Sequence, residues 1–128
     1  MEIHQFTRED QAEESFSTSY RRFDYLDDLF ENISKEELGA EKCEIIACAG
    51  GEFPYNEREQ WTDACNLLTL KEGVVIGYDR NIKTAEQFRA LDFDVVHARQ
   101  VIESVESGKH VEDVIQGDTL ILLPSHEL

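Results

Sequence analysis

The residue types most able to do chemistry in this sequence are its cysteines and histidines. A cysteine thiolate is a nucleophile and a metal ligand, and a histidine transfers protons near neutral pH. The cysteines (43, 48 and 65) and the histidines (4, 97, 110 and 126) match no metal-ligand spacing. His126-Glu127 begins the His-Glu-x-x-His zinc pattern, but the sequence stops at Leu128, before a second histidine. The sequence therefore predicts no metal site and no cofactor site.

The three cysteines are expected to be free thiols that are mostly buried. Cys43 and Cys48 lie on one predicted strand, five residues apart, so they are expected to point to opposite faces. Cys65 follows Asp63, and a nearby acidic group raises the pKa of a thiol. Cys65 is therefore interpreted as structural rather than as a nucleophile.

Three other patterns have simpler interpretations than a binding site. Asp24, Asp27 and Asp28 lack the glycine and the ligand order of a calcium loop, and they are interpreted as the solvated face of a helix. Gly50-Gly51 is not followed by the Gly-Lys-Ser/Thr of a phosphate-binding loop, so a turn is favoured. The glycosylation triplet Asn32-Ile33-Ser34 lies within a predicted helix and is attributed to chance.

Composition narrows the class of protein. A chain of 128 residues is expected to form one domain, residues 1–128, with a core that needs no disulfides. The net charge of -16 repels a phosphate backbone, so no nucleic-acid partner is expected. The N-terminus lacks a signal-peptide pattern, and no run approaches the roughly 18 apolar residues of a membrane span. A cytoplasmic protein without membrane contact is predicted.

The first half of the sequence predicts strands around one helix. Residues 2–6 are predicted to form a short strand, and residues 7–19 a solvated connection. Apolar residues recur at helical spacing between residues 23 and 33, which predicts an amphipathic helix that closes near Gly39. Residues 42–49 are apolar and β-branched enough to predict a second strand, ended by the glycine pair.

Residues 66–98 predict a strand-strand-helix-strand unit within an α/β fold. The loop Lys71-Glu72-Gly73 is typical of a hairpin in which Gly73 has a positive φ. Thr84, with Gln87 three residues later, predicts the N-cap of the crossover helix. Further on, the pattern predicts a helix at 101–105 that ends at Gly108 and another helical turn at 111–115. A last strand is predicted at 119–123.

Two blocks of residues closely resemble bacterial arginine deiminases. Residues 57–66 carry the pattern E-R-E-Q-W-x-D-x-x-N, and residues 73–81 carry G-V-V-x-x-Y-D-R-N at the family's separation. The glycine pair upstream and the Leu-Leu-Pro-Ser-His-Glu-Leu of residues 122–128 look like the same family's sequence. The likeness covers about residues 43–128 and is richest in motifs over 50–96.

The resemblance implies a member of the guanidino-group-modifying superfamily. Its fold is a five-bladed α/β propeller, of the pentein type, built of strand-strand-helix-strand modules and incomplete in this chain. Its reaction converts L-arginine and water to L-citrulline and ammonia. A cysteine thiolate attacks the guanidinium carbon, a histidine moves protons, and two carboxylates bind the guanidinium.

The catalytic motifs of this family are not found on the sequence. The His-x-Asp motif would fall before Met1, and the Arg-Gly-Gly…Cys-Met loop would follow Leu128. No catalytic residue is therefore assigned, and the 128-residue chain alone is expected to be inactive. Two alternatives stay open: a non-catalytic acidic interaction module with this fold, and a related hydrolase or amidinotransferase for another guanidino substrate.

The family-matching residues Trp61, Asp63, Asn66 and Arg80 are interpreted as scaffold, and whether any of them contacts substrate is left open. Trp61 is expected in the core, and Arg80 is expected to pair with Asp79 or Asp63. The side chains of Asp63 and Asn66 are expected to bond to local backbone N–H groups at a strand entrance. Since an incomplete propeller leaves strand edges and apolar faces uncovered, a homo-oligomer is expected.

Overall fold

The N-terminal unit, Met1–Ile45, consists of a β-hairpin and a helix. In the computed structural model, which describes residues 2–11 and 15–125, β1 (Ile3–Gln11) pairs with the antiparallel β2 (Ser15–Phe23). Ile3 lies opposite Phe23, and Gln11 lies opposite Ser15. Helix α1 follows at Leu26–Glu36, as the helical spacing predicts, and Gly39 beyond it has a φ of +65°.

The expected solvated connection at residues 7–19 is wrong, because most of it belongs to the hairpin. Residues 7–11 continue β1 and residues 15–19 begin β2, while residues 12–14 lie outside the described residues. Polar composition is a poor guide here, because the bonds of a β-ladder join backbone groups whatever the side chains are. Residues 15–20 read Ser-Phe-Ser-Thr-Ser-Tyr, in which Phe, Thr and Tyr favour extended backbone.

The second unit, Ile46–Leu128, is built around a four-stranded sheet. Its elements include a 3₁₀ turn (Cys48–Gly51), α2 (Tyr55–Trp61), β3 (Leu68–Lys71), β4 (Val74–Tyr78), α3 (Ile82–Ala90), β5 (Asp94–His97), α4 (Ala98–Glu106), α5 (Val111–Val114) and β6 (Thr119–Leu123). The strand order is β3-β4-β6-β5, with β3 antiparallel to β4 and with β6 parallel to both β4 and β5. The strand-strand-helix-strand prediction and the last predicted strand are confirmed.

The predicted strand at residues 42–49 is wrong. In the described part of the chain this segment joins no β-ladder, and its last residues turn into the 3₁₀ helix at Cys48. Ile46 packs against the core, whereas Ile45 is 48% exposed. A β-branched pair favours extended backbone, but a strand also needs a partner with which to exchange hydrogen bonds.

The core of this unit lies on both faces of β6. Leu120 and Leu122 pack against Ala85 and Phe88 of α3 on one face. Ile121, between them, packs on the other face against residues that include Val74, Ile115 and Val101. Because successive side chains of a strand point to opposite faces, this strand is apolar throughout and needs a helix on each side.

The architecture is thus mixed α/β, with two sheets and five α-helices among the described residues. No helix in this part of the chain is both long and apolar enough to cross a membrane. The structure divides into two compact units, Met1–Ile45 and Ile46–Leu128, each with its own internal packing. That residues 1–128 form one domain therefore stays a prediction.

The β3-β4 turn depends on Gly73. Its φ is +72°, and a Cβ at this position would collide with the carboxylate of Asp118, with the Asp118 Cγ only 3.2 Å away. Gly108 also has a positive φ, +96°, but a Cβ there would meet nothing within 4 Å. The two glycines therefore separate the cost of the backbone conformation from the cost of the collision.

We expect Gly73→Ala to lower the free energy of unfolding by about 2–3 kcal/mol, and Gly108→Ala by about 1 kcal/mol. The extra loss comes from displacement of the Asp118 side chain. Denaturant unfolding followed by circular dichroism measures both values. Adding Asp118→Ala to Gly73→Ala should recover most of the difference, and equal losses for the two glycine variants would contradict this account.

Candidate functional site

Three sequence segments meet around one buried acid, Glu59. These segments are the glycine-pair turn, the block at 57–66 and the residues from 78 to 84. Glu59 lies on α2 and is only 4% exposed. Its Oε1 accepts a hydrogen bond from the Lys83 backbone N–H at 2.8 Å, and its Oε2 accepts one from the Thr84 N–H at 2.7 Å. The carboxylate therefore caps the first turn of α3, where the helix dipole favours a negative charge.

The Thr84 hydroxyl connects this acid to the glycine-pair turn. It donates to Glu59 Oε2 at 2.7 Å and accepts from the Ala49 backbone N–H at 2.9 Å. Ala49, Gly50 and Gly51 all have positive φ values, of 49°, 65° and 77°. A left-handed conformation is costly for alanine, so the Thr84 bond and the burial of Ala49 hold a strained backbone in place. The turn interpretation of the glycine pair is confirmed.

Asn81 and Thr62 form a second pair beside Glu59. Asn81 is 4% exposed, and its Nδ2 donates to the Thr62 carbonyl oxygen at 3.0 Å. The Thr62 hydroxyl donates to Asn81 Oδ1 at 2.5 Å. Asn81 occupies the N-cap position of α3 but directs its side chain to α2. Glu59 supplies the capping bonds that Asn81 does not supply.

The prediction that Thr84 is the N-cap of this helix is wrong by three residues. The helix begins at Ile82 after Asn81, which puts Thr84 within the first turn. Gln87, the expected capping partner, lies beside Gly50, where a Cβ would meet its side chain at 2.9 Å. The local pattern misplaced the start because the true cap, Glu59, lies 25 residues earlier in the chain.

Arg80 stacks on an aromatic ring and pairs with one of its two predicted partners. Its Nη2 lies 3.9 Å from Asp63 Oδ2, and its guanidinium carbon lies 5.0 Å from the centre of the Tyr78 ring. The Asp63 side chain is 57% exposed, so this ion pair adds little stability and mainly orients the guanidinium. Asp79 Oδ1 accepts bonds from the Ser125 N–H at 2.9 Å and from its hydroxyl at 2.6 Å, which ties the end of β6 to the end of β4.

Trp61 is not in the core, so that expectation is wrong. Its surface is 89% exposed, at the last position of α2. Residues two positions apart on an α-helix point in directions about 200° apart, so the inward position of Glu59 places Trp61 on the outer face. Asp63 has a φ of +60°, and its carbonyl accepts from the Asn66 N–H at 3.1 Å. The bond at the strand entrance therefore joins two backbone groups, whereas side chains were expected to make it, and the Asp63 carboxylate faces Arg80 instead.

Two of the cysteines are neighbours, which their spacing did not show. Cys48 Sγ and Cys65 Sγ lie 2.9 Å apart. All three cysteines are free, as expected, but Cys65 is exposed and the other two are half-buried, so the expectation of mostly buried thiols is wrong. Cys43 lies in the N-terminal unit, and the strand it was expected to share with Cys48 is absent from the described residues. Burial, followed by the hydrogen bond to Cys65, raises the pKa of Cys48 to about 11 from an ordinary 9.0. Cys48 is therefore protonated at neutral pH.

The described histidines make contacts of their own. His4 stacks on Tyr20, its Nδ1 2.8 Å from the tyrosine hydroxyl, and His97 and His110 precede α4 and α5 as N-caps. His126 lies outside the described residues. Within residues 2–11 and 15–125, no group of three or more His, Cys, Asp or Glu side chains is placed to hold a metal ion. The arrangement around Glu59 is a structural network.

Comparison with known proteins gives one family. The family model described as arginine deiminase matches residues 1–104. The chain is 51% identical to the arginine deiminase of Streptococcus sanguinis (strain SK36) over 52 residues, which cover 41% of this chain and 13% of that protein. It is 41% identical to the arginine deiminase of Treponema denticola over 61 residues, which cover 48% of this chain and 15% of that protein. No solved structure matches the chain.

Replacing Glu59 should cost more stability than any exposed acid nearby. We expect Glu59→Gln to lower the free energy of unfolding by about 2–4 kcal/mol. Glutamine replaces one of the two acceptor oxygens with an NH₂ group, which is itself a donor, so at least one of the three donors around residue 59 loses its acceptor. Denaturant unfolding measures the loss. The matched control is Glu57→Gln on the exposed face of α2, for which a change within about 0.5 kcal/mol is expected. Equal effects of the two substitutions would contradict the capping role.

The raised pKa of Cys48 predicts slow alkylation that accelerates with pH. A thiol whose pKa is about 11 rather than 9.0 has a thiolate fraction at neutral pH that is about 100-fold lower. The more basic thiolate is also the stronger nucleophile, which offsets part of this loss, so we expect alkylation of Cys48 to be about ten-fold slower than that of an ordinary thiol. Iodoacetamide labelling of Cys48, followed by mass spectrometry, should rise with pH beyond 9 while circular dichroism stays constant. Cys65→Ala should accelerate it. A plateau below pH 9 would contradict the prediction.

Proposed function

The chain belongs to the arginine deiminase family, and from that membership we propose that it forms part of an arginine deiminase. Such an enzyme is a hydrolase that converts L-arginine and water to L-citrulline and ammonia. The family model covers residues 1–104, and both relatives described above carry the name arginine deiminase. The matched stretches are 13% and 15% of the lengths of these relatives, so the substrate and the reaction are proposed here.

The contact between Glu59 and Thr84 is the observation that supports a scaffold role for this part of the enzyme. Both residues lie in the stretch 50–96, which is richest in family motifs, and both are buried. Their polar side-chain atoms already form hydrogen bonds to each other and to backbone N–H groups. A carboxylate that receives three protein donors has little capacity left for a guanidinium group. We therefore assign these residues to positioning α2, α3 and the glycine-pair turn, rather than to binding arginine.

The Cys48 thiol supports the same scaffold role. The proposed chemistry starts with a cysteine thiolate that attacks the guanidinium carbon, after which ammonia leaves and water hydrolyses the adduct. Cys48 is a poor candidate, because its pKa is raised to about 11 by burial and by Cys65. We propose that the nucleophile, the proton-carrying histidine and the guanidinium-binding carboxylates lie outside the described residues, and that no cofactor takes part.

The exposed apolar side chains favour association with further protein. Trp61, Phe53 and Leu68 are 89%, 72% and 62% exposed, and covering these side chains with further protein would remove apolar surface from water. This observation supports the homo-oligomer, and it also fits the alternative of an acidic interaction module. The pentein-type propeller, the cytoplasmic location and the self-association of the chain stay predictions. Size-exclusion chromatography with light scattering tests the last of these.

The purified 128-residue chain, given L-arginine, is expected to release no citrulline above buffer. The physical reason is that an unactivated thiol supplies almost none of the acceleration of a catalytic nucleophile. A colorimetric citrulline assay over several hours measures the release, and a variant with all three cysteines changed to serine gives the blank. Turnover by the native chain that is lost in Cys48→Ser or Cys65→Ser would contradict our placement of the reacting groups.

A further inference from the structure

The contact between Cys48 and Cys65 is unexplained by the scaffold role. The two sulfur atoms lie 2.9 Å apart although the residues are 17 positions apart in sequence, and neither is bridged. Cys48 begins the 3₁₀ turn, and Cys65 lies in the loop between α2 and β3. Two thiols held side by side by separate elements can form one bond to each other with little movement of the backbone.

The two thiols differ in access, and the pKa of Cys48 depends on Cys65. Cys65 is exposed, whereas Cys48 is partly buried, so a dissolved reagent meets Cys65 first. The hydrogen bond and the charge of Cys65 are, after burial, the largest causes of the raised pKa of Cys48. Both causes vanish once the Cys65 sulfur is bonded to another sulfur, because that sulfur then carries no proton and no charge. Modification of Cys65 therefore lowers the pKa of Cys48 toward its ordinary value, while burial continues to raise it.

We propose that Cys48 and Cys65 are a reversible dithiol–disulfide pair that reacts with low-molecular-weight disulfides such as oxidised glutathione. The Cys65 thiolate attacks one sulfur of the glutathione disulfide, and one glutathione thiolate leaves. The Cys48 thiolate then attacks the Cys65 sulfur, forms the Cys48–Cys65 bond and expels the second glutathione. The two protein thiols are oxidised, one glutathione disulfide is reduced to two glutathione thiols, and the two thiol protons pass to these products.

The position of the pair gives the bond a structural consequence. Cys48 is adjacent to Ala49, whose N–H donates to Thr84, and Cys65 follows α2, which carries Glu59. A bond between the two sulfurs therefore ties the glycine-pair turn to the loop behind α2 across the Glu59 network. This chemistry does not require the deiminase activity proposed above.

The test is a titration of the folded full chain with mixtures of reduced and oxidised glutathione. Thiol counting after denaturation at low pH should fall from three in the reduced protein to one. Trypsin leaves residues 43 and 48 on one peptide, 43–58, and Cys65 on another, 59–71. A link between these peptides identifies Cys48 only when residue 43 is not a cysteine, so the Cys43→Ser variant gives the clearer result. In this variant the count should fall from two to none, with a mass lower by two hydrogen atoms and with peptides 43–58 and 59–71 linked.

Two further variants in the Cys43→Ser background resolve the order of the steps. With Cys48→Ser added, one glutathione should accumulate on Cys65; with Cys65→Ser added, Cys48 should take up glutathione more slowly than Cys65 does in the first variant, because Cys48 is the less exposed thiol. Circular dichroism confirms that each variant is folded, and the exposed position of Cys65 keeps the second variant informative if the first is destabilised. Glutathione that stays on Cys65 of the Cys43→Ser protein without a link to Cys48, two unreacted thiols, or a link only between two chains would each overturn the proposal.

Discussion

The arrangement of the second unit depends on one buried carboxylate that caps a helix from a different helix. Glu59 gives up its hydration in return for three donors, two from the backbone at the start of α3 and one from Thr84. Burying a charge without such partners is strongly unfavourable, so α2 and α3 are held in the one orientation that satisfies it. The Thr84 hydroxyl extends this constraint to Ala49 and stabilises a left-handed alanine in the glycine-pair turn. One acid thus sets the positions of three elements.

The segments that resemble arginine deiminases acquire physical roles from this network. Within E-R-E-Q-W, Glu59 faces inward and Trp61, two residues later, faces solvent, so one block supplies both a buried and an exposed side chain. Within Y-D-R-N, the Tyr78 ring lies against the Arg80 guanidinium. The Asp79 carboxylate accepts a hydrogen bond from Ser125, and the Asn81 amide donates one to Thr62. Membership of the family and the scaffold assignment are therefore compatible, because a set of residues can characterise a family by fixing its backbone rather than by touching its substrate.

The elements formed by local rules could be predicted, and the elements formed by distant contacts could not. The β3-β4 hairpin, α3, β5 and β6 follow from Gly73, from helical spacing and from apolar runs, all of which act over a few residues. The start of α3 was misplaced because its cap comes from Glu59. The strand prediction for residues 42–49 was wrong because no strand among the described residues pairs with them. The inward position of Glu59 had no local signal, because its partners Lys83 and Thr84 lie more than 20 residues later in the chain. The contact between Cys48 and Cys65 had none.

The central position of β6 in the sheet has a consequence for the order in which the chain is synthesised. β4 and β5 emerge from the ribosome first, yet both pair with β6, which follows them by way of α4 and α5. Until Thr119–Leu123 has emerged, the facing edges of β4 and β5 have no strand between them, and the apolar side of α3 lacks Leu120 and Leu122. Formation of the parallel ladders therefore waits for the last of these strands, and the nascent chain exposes two unpaired strand edges in the interval.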